Sequence, residues 1–316
     1  MKYNGVAIEM TTVCPLHCSH CCQDNGEKAI CLSKNEISQI ISEISQDKKI
    51  EYVSFTGGEP FLDREKLYYA IDTARNNGFH TSTVTSGFWA VDDEITEKVI
   101  KTLHEKELDV ITVSRDSFHR REVPDDNINK ILKWGKVYDL EINIQISTIQ
   151  NTDFGEILNP LQREILNTKV EIFPVFYAGR AKEKIAKEML LYNEHPRHQF
   201  CGKGGACLIA ANGDVYPCCS PLGKETFFKL GNIKRNSMAD IREKLQRNAI
   251  LHILRNFGFD PFIDLAEEKL GMCIPEKIIS PCDLCADFFN EQNIFAFYAN
   301  IDWVKERIEK GVYRYD

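Results

Sequence analysis

A chain of 316 residues has room for one large domain and a smaller one, and 43% hydrophobic with 27% charged residues is ordinary for a globular protein. A net charge of -8 argues against nucleic-acid binding through a basic surface. No apolar run approaches the length of a membrane span and the first residues do not open a signal peptide, so the expected compartment is the cytoplasm, away from membranes. Thiols stay reduced there, so the twelve cysteines read as metal ligands or reactive thiols rather than disulfides.

Strand-like and helix-like stretches alternate to about residue 190. Strands are predicted at 6–8, 52–56, 81–85, 110–114, 142–147 and 170–173. The first helix begins at Ser33, with Glu36 three residues on as a capping box, and Ile37, Ile40, Ile41 and Ile44 mark one face. Further helices are expected at 65–76, 93–105, 127–138 and 153–166. Six βα repeats imply an α/β fold, a partial (β/α)6 parallel barrel with its helices outside. Beyond residue 190 the pattern changes. Residues 206–211, the Asn212-Gly213 pair and 214–216 read as a β-hairpin, followed by helices at 238–256 and 288–310. The expected organisation is a barrel over 1–190 and a C-terminal α+β domain over 191–316, with no repeat, low-complexity segment or long linker.

The residues that carry chemistry sit at predicted strand ends. Cys14, Cys18 and Cys21 follow the first strand, spaced by three and then two residues. Three thiolates are one short of a closed Cys₄ site, which leaves a coordination position for something other than protein. Taken alone, the three also suit zinc. Gly57-Gly58-Glu59-Pro60 follows the second strand, and Thr85-Ser86-Gly87 closes the third. Ser114 and Asp116 close the fourth, and Gly179-Arg180-Ala181 lies beyond the sixth. Each motif alone is ordinary turn composition. All would point to the C-terminal mouth of the barrel.

Together these features resemble the radical S-adenosylmethionine (SAM) enzymes. The resemblance implies a 4Fe-4S cluster on Cys14, Cys18 and Cys21, with SAM bound to the open iron through its amino and carboxylate groups. His20 stands where the family usually has an aromatic residue against the adenine. Gly57, Gly58 and Glu59 would meet the methionine amino group, Ser114 and Asp116 the ribose, and Arg180 the adenine or carboxylate. Cys22 reads as a spectator thiol and Cys31 as a packing residue. The stretch 116–121 is polar and basic, and is placed to contact substrate or cosubstrate.

A second cysteine set lies in the C-terminal part. Cys201 and Cys218 flank the predicted hairpin, and Cys282 and Cys285 form a CxxC pair. This resembles the SPASM and twitch extensions of radical SAM enzymes, and implies an auxiliary 4Fe-4S cluster on these four, with Cys₄ zinc as the bland alternative. No cysteine follows Cys285, so the extension looks truncated, with one auxiliary cluster and two 4Fe-4S clusters in all. Cys207, Cys219 and Cys273 remain. Cys219 adjoins Cys218 and is a candidate hydrogen-atom donor; the alternatives are that Cys219 is the ligand and Cys218 the spare, or that Cys207 is the donor.

Residues 217–221, 253–259 and the CxxC with Phe288-Phe289-Asn290 resemble radical SAM epimerases acting on ribosomally made peptides. That resemblance implies a peptide substrate, hydrogen abstraction by a 5′-deoxyadenosyl radical, and L-to-D inversion with a cysteine thiol returning hydrogen. It also implies a low-potential electron donor such as flavodoxin or ferredoxin. Ala206-Cys207-Leu208 departs from it where a polar residue is expected. Thioether or carbon–carbon crosslinking of a peptide, small-molecule radical chemistry and a zinc-stabilised binding module are the competing readings. The short stretch before the first strand leaves no room for a winged-helix peptide-recognition domain.

Overall fold

The computed structural model describes residues 3–23, 29–161, 163–202 and 205–313. They form two compact units. The first comprises Asn4–Leu190 with Ile209–Gly213, and the second the remaining described residues.

The first unit carries six parallel strands. They are β1 (Gly5–Thr11), β2 (Tyr52–Gly57), β3 (His80–Thr85), β4 (Val110–Ser114), β5 (Glu141–Thr148) and β6 (Lys169–Pro174). They lie side by side in chain order as a partial barrel. Between them run α1 (Lys34–Ile44), α2 (Arg64–Asn76), α3 (Asp93–Glu105), α4 (Asp125–Val137) and α5 (Phe154–Leu158), with α6 (Ala181–Lys184) after β6. Pairing places Ile8, Phe55, Thr83, Ile111 and Ile142 in one register row, all buried. The helices bury the matching stripes that the 3.6-residue period requires, such as Ile37, Ile40, Ile41 and Ile44 in α1 and Leu67, Ala70, Ile71 and Ala74 in α2. Each such Leu or Ile contributes about 1.5–3 kcal/mol of burial. The alternate face of the sheet is more polar: Val84, Thr112 and Asn143 form one row, and Ser114 faces Gln145 in the next.

Helix α1 starts where the capping box requires, with the Ser33 hydroxyl accepting from the Glu36 N–H and the Glu36 carboxylate accepting from the Ser33 N–H. The helix expected over 153–166 is interrupted. It ends at Leu158 and a 3-10 turn resumes at Arg163, because Pro160 has no N–H to give the carbonyl four residues back. Gly135 lets α4 approach β5, since a Cβ there would lie 2.4 Å from Ile142 Cγ1. Gly135→Ala is therefore expected to cost about 1 kcal/mol. Overpacking typically costs roughly 1–3 kcal/mol, and alanine recovers roughly 1 kcal/mol in helix propensity. A lowered urea midpoint with unchanged iron content is the expected measurement.

The second unit holds β7 (Ala206–Ile209, whose last residue counts with the first unit), β8 (Asp214–Tyr216) and β9 (Gly231–Asn232). Strand β8 pairs antiparallel with β9. The strand expected to reach 211 ends at Ile209. Gly213, at φ +92°, donates its N–H to the Ala210 carbonyl at 2.7 Å and closes a four-residue turn. Then come α7 (Met238–Arg247), α8 (Ala249–Asn256), α9 (Asp260–Glu268), α10 (Pro281–Phe288), α11 (Ile294–Ala299) and α12 (Ile301–Glu309). The single helix expected over 238–256 breaks at Asn248, whose backbone is extended and whose side chain caps α8 at the Leu251 N–H. That over 288–310 breaks twice, near Asn293 and Asn300. Phe228, Phe262, Phe288, Phe289 and Phe297 form the core of this unit, with ring centroids 5.1 to 6.1 Å apart in stacked, tilted and edge-on pairs. No helix among the described residues is long and apolar enough to cross a membrane.

Candidate metal centres

The loop that leaves β1 carries Cys14, Cys18 and Cys21, and three other strand-end loops fasten it. From the loop after β2, the Gly58 N–H donates to the Thr11 carbonyl at 2.7 Å and the Glu59 N–H to the Val13 carbonyl at 2.9 Å. A Cβ at Gly57 would lie 2.3 Å from the Thr11 oxygen, and one at Gly58 2.1 Å from the Val13 oxygen. The two glycines thus serve close approach of backbone to backbone. From the loop after β4, both Glu122 carboxylate oxygens accept from the His17 N–H, at 2.9 and 2.8 Å. From the loop after β6, Arg180 Nη1 donates to the Cys18 carbonyl at 3.0 Å and the Ala181 N–H to that of Cys21 at 3.3 Å. Gly179, at φ +53°, sits where a Cβ would be 2.4 Å from the Cys22 backbone.

Glu59 is buried and braces β2 to β3. Its carboxylate accepts from the Thr85 and Ser86 hydroxyls at 2.9 and 2.6 Å, and from the Ser86 and Phe61 N–H groups at 2.9 and 3.2 Å. Burial raises its pKa, and those hydrogen bonds pull against the rise. Asp116 is a second hub, fully buried. It accepts from the Phe118 and His119 N–H groups at 3.0 and 2.9 Å, from His119 Nδ1 at 2.9 Å and from the Ser147 N–H at 3.3 Å. His20 Nε2 lies 3.5 Å from the same carboxylate. Burial works to raise the Asp116 pKa, but His119 and His20 outweigh it and hold the carboxyl well below its usual range. His119 is pushed up to about 10: the Asp116 carboxylate and a hydrogen bond with Cys18 overcome burial. His20, stacked on Phe118 with centroids 4.4 Å apart, is pushed down to about 4 by burial despite Asp116.

The structure thus brings Cys14, Cys18, Cys21, His20, Glu59, Asp116 and Arg180 around one loop, and gives Glu59, Asp116 and Arg180 protein partners there. Ser114 stands half-buried at the end of β4. Arg120 pairs locally with Asp125 at 3.2 Å and Glu156 at 2.8 Å. Cys31 is exposed, with its sulfur 2.9 Å from the Thr11 hydroxyl, rather than packed inside. Sequence reading missed Glu122, for which there was no signal, and the pairing of Asp116 with His119, for which the three-residue spacing was one.

In the second unit, Cys201, Cys218, Cys282 and Cys285 lie close enough to repel one another as thiolates. Burial pushes Cys218 up to about 12 and Cys285 well above the usual thiol value, and the neighbouring cysteines add to both. Gly223 leaves room beside Cys218, since a Cβ there would be 3.1 Å from its sulfur. Helix α10 presents the CxxC at its first turn, capped by Ser280, whose hydroxyl accepts from the Cys282 N–H at 3.1 Å. Cys219 is exposed, whereas Cys207 is buried on β7. No disulfide links any of the twelve cysteines. In the first unit burial likewise pushes Cys14 up to about 12, with Glu59, Cys21 and Cys18 adding to it. Crowded, desolvated thiols of this kind suit a cationic metal centre that offsets the thiolate charge, and so both sets fit iron–sulfur ligation.

Comparison with known proteins bears on both units. A model of the Radical SAM superfamily matches residues 8–145, and one of the SPASM iron–sulfur cluster-binding domain matches residues 201–286. YydG of Bacillus subtilis (strain 168), named for peptide biosynthesis, is 28% identical over 306 residues, which cover 94% of this chain and 96% of that protein. A GTP 3′,8-cyclase of Campylobacter jejuni (strain RM1221) is 23% identical over 293 residues, covering 78% of this chain and 90% of its own. Among solved structures, Streptococcus suis SuiB bound to precursor peptide SuiA aligns with a TM-score of 0.59 at 16% identity, over 80% of this chain and 67% of that one. The protein anSMEcpe with bound AdoMet aligns with a TM-score of 0.57 at 14% identity, over 96% and 98%. At these identities the solved structures show a shared fold.

Proposed function

We propose, from the premise that the chain carries a radical SAM domain followed by a SPASM iron–sulfur cluster-binding domain, that it modifies a ribosomally made peptide by inverting an amino-acid centre from L to D. The radical SAM domain implies SAM and a 4Fe-4S cluster, and the SPASM domain implies auxiliary iron–sulfur ligation. Held on Cys14, Cys18 and Cys21 and reduced by a low-potential donor of the flavodoxin or ferredoxin class, a 4Fe-4S cluster would supply the reductive cleavage of SAM to a carbon radical able to remove hydrogen from a peptide.

The chain's own residues supply the frame. Cys14, Cys18 and Cys21 hold the first cluster on a loop that Gly58, Glu122, Arg180 and Ala181 keep in place. Cys201, Cys218, Cys282 and Cys285 hold the auxiliary one. His20, Ser114 and the Gly57–Glu59 turn form the walls for SAM. Asp116, already saturated by protein donors, orients His20 and His119. Cys219 returns a hydrogen atom to the peptide Cα from the face opposite to abstraction. The sulfur radical left behind takes up one electron and one proton from the reducing system before the next turnover.

One observation carries this reading. Of two adjacent cysteines, Cys218 is half-buried with Cys201 and Cys282 near it while Cys219 is exposed, and the competing donor Cys207 is buried at 1% exposure. The peptide-biosynthesis name of a relative that spans almost the whole chain supports the substrate class. The test is anaerobic turnover in deuterated water with SAM, reductant and candidate peptides. Inversion adds one deuterium at the changed centre and otherwise leaves peptide mass unaltered. Loss of two hydrogens would establish crosslinking instead.

A further inference from the structure

The histidines at the first centre carry an arrangement that the cluster does not use. Cys18, His20 and His119 each offer one ligand atom, and these atoms lie within 4.8 Å of one another. Asp116 contacts one nitrogen of each imidazole, His119 Nδ1 at 2.9 Å and His20 Nε2 at 3.5 Å. The opposite nitrogens, His119 Nε2 and His20 Nδ1, are therefore the ones presented to a ligand. His20 Nδ1 is buried and has no hydrogen-bond partner among the described residues, and the His20 side chain is only 9% exposed. A carboxylate behind two imidazoles is the usual outer support of a histidine–metal site, fixing ring orientation and raising ligand basicity.

We infer that Cys18, His20 and His119 form a mononuclear site for a borderline divalent cation of the zinc class, backed by Asp116. One thiolate and two imidazoles with an open fourth position suit that class. Tetrahedral ligands at zinc distances sit roughly 3.3–3.8 Å apart, so the three atoms need to close by about 1.5 Å at most. The His20 ring is steadied by Phe118, and the cysteine loop by Arg180 on the Cys18 carbonyl, so small side-chain movements suffice. Binding requires Cys18 as the thiolate and the two ligating nitrogens free of protons, so it releases protons, while His119 keeps its Nδ1 proton as the donor to Asp116. Because Cys18 belongs to both ligand sets, a single ion here and a cluster on the three cysteines are mutually exclusive. Zinc is then a competitor for the cluster-free protein. The inference stands on this geometry and does not require the peptide reading.

The test is ¹¹³Cd NMR of the full chain, freed of iron and loaded with cadmium without air. Cadmium reports ligand type through its shift, so a tetrathiolate site on Cys201, Cys218, Cys282 and Cys285 is separable from a site with one sulfur and two nitrogens. A second resonance in the mixed nitrogen–sulfur region is expected. It should be lost in His119→Gln and in His20→Phe, and kept in Cys14→Ala, with the tetrathiolate resonance persisting throughout as proof of folding. A second resonance in the thiolate-rich region that disappears with Cys14→Ala, or none at all beside the tetrathiolate one, would overturn the inference.

Discussion

Cys18→Ala is expected to bring 5′-deoxyadenosine formation to background while the iron of the auxiliary site remains. Cys18 is the most buried of the first three cysteines, at 7% exposure. Its carbonyl is the point at which Arg180 fastens the loop, a contact that the substitution spares. The variant therefore removes one sulfur without unpicking the loop. Iron and sulfide analysis with electron paramagnetic resonance should show one reduced cluster signal lost and one kept. Cys22→Ala is the matched control: its side chain is exposed, and both signals and SAM cleavage should survive. Undiminished 5′-deoxyadenosine from Cys18→Ala would remove the first centre from the chemistry.

Cys219→Ala should separate the two halves of the proposed reaction. SAM cleavage should continue at a rate within a few-fold of the parent, whereas inverted peptide should fall to background. The reasoning is local. The substitution removes an exposed thiol, and the neighbouring Cys218 retains its place beside Gly223. Cys207→Ser is the informative contrast. It places a hydroxyl at a position 1% exposed on β7, so a stability loss of about 1–3 kcal/mol is expected from burying a polar group. Deuterium incorporation should persist in whatever remains folded. If Cys219→Ala still completes inversion, the donor is elsewhere.

The strands and the amphipathic helices were legible because periodicity is a local property. Ile37, Ile40, Ile41 and Ile44 face inward as their spacing required, and Ser33 with Glu36 closes the capping box at the expected residue. The helix breaks at Pro160 and Asn248 were overrun because apolar positions recur on both sides of them; a proline lacking its N–H and an asparagine that caps better than it continues decided otherwise. Helices α9 and α10 were unread. Both open on a proline at the first turn, a start signal that carries little weight without a long apolar stripe behind it. At the site, residue types and order were what singled out the two cysteine sets as candidates. Partnerships across the fold were beyond reach. Nothing in a linear reading says that Glu59 spends its oxygens on Thr85 and Ser86, or that Glu122 holds the His17 N–H.

The fastening of the cysteine loop has a consequence for how the protein matures. Arg180 and Ala181 grip carbonyls about 160 residues earlier in the chain, at Cys18 and Cys21. During synthesis the loop leaves the ribosome long before its last clasp exists, and contacts so distant in sequence form late. The loop therefore reaches its fully fastened form only once the chain beyond the sixth strand has been made and has folded back.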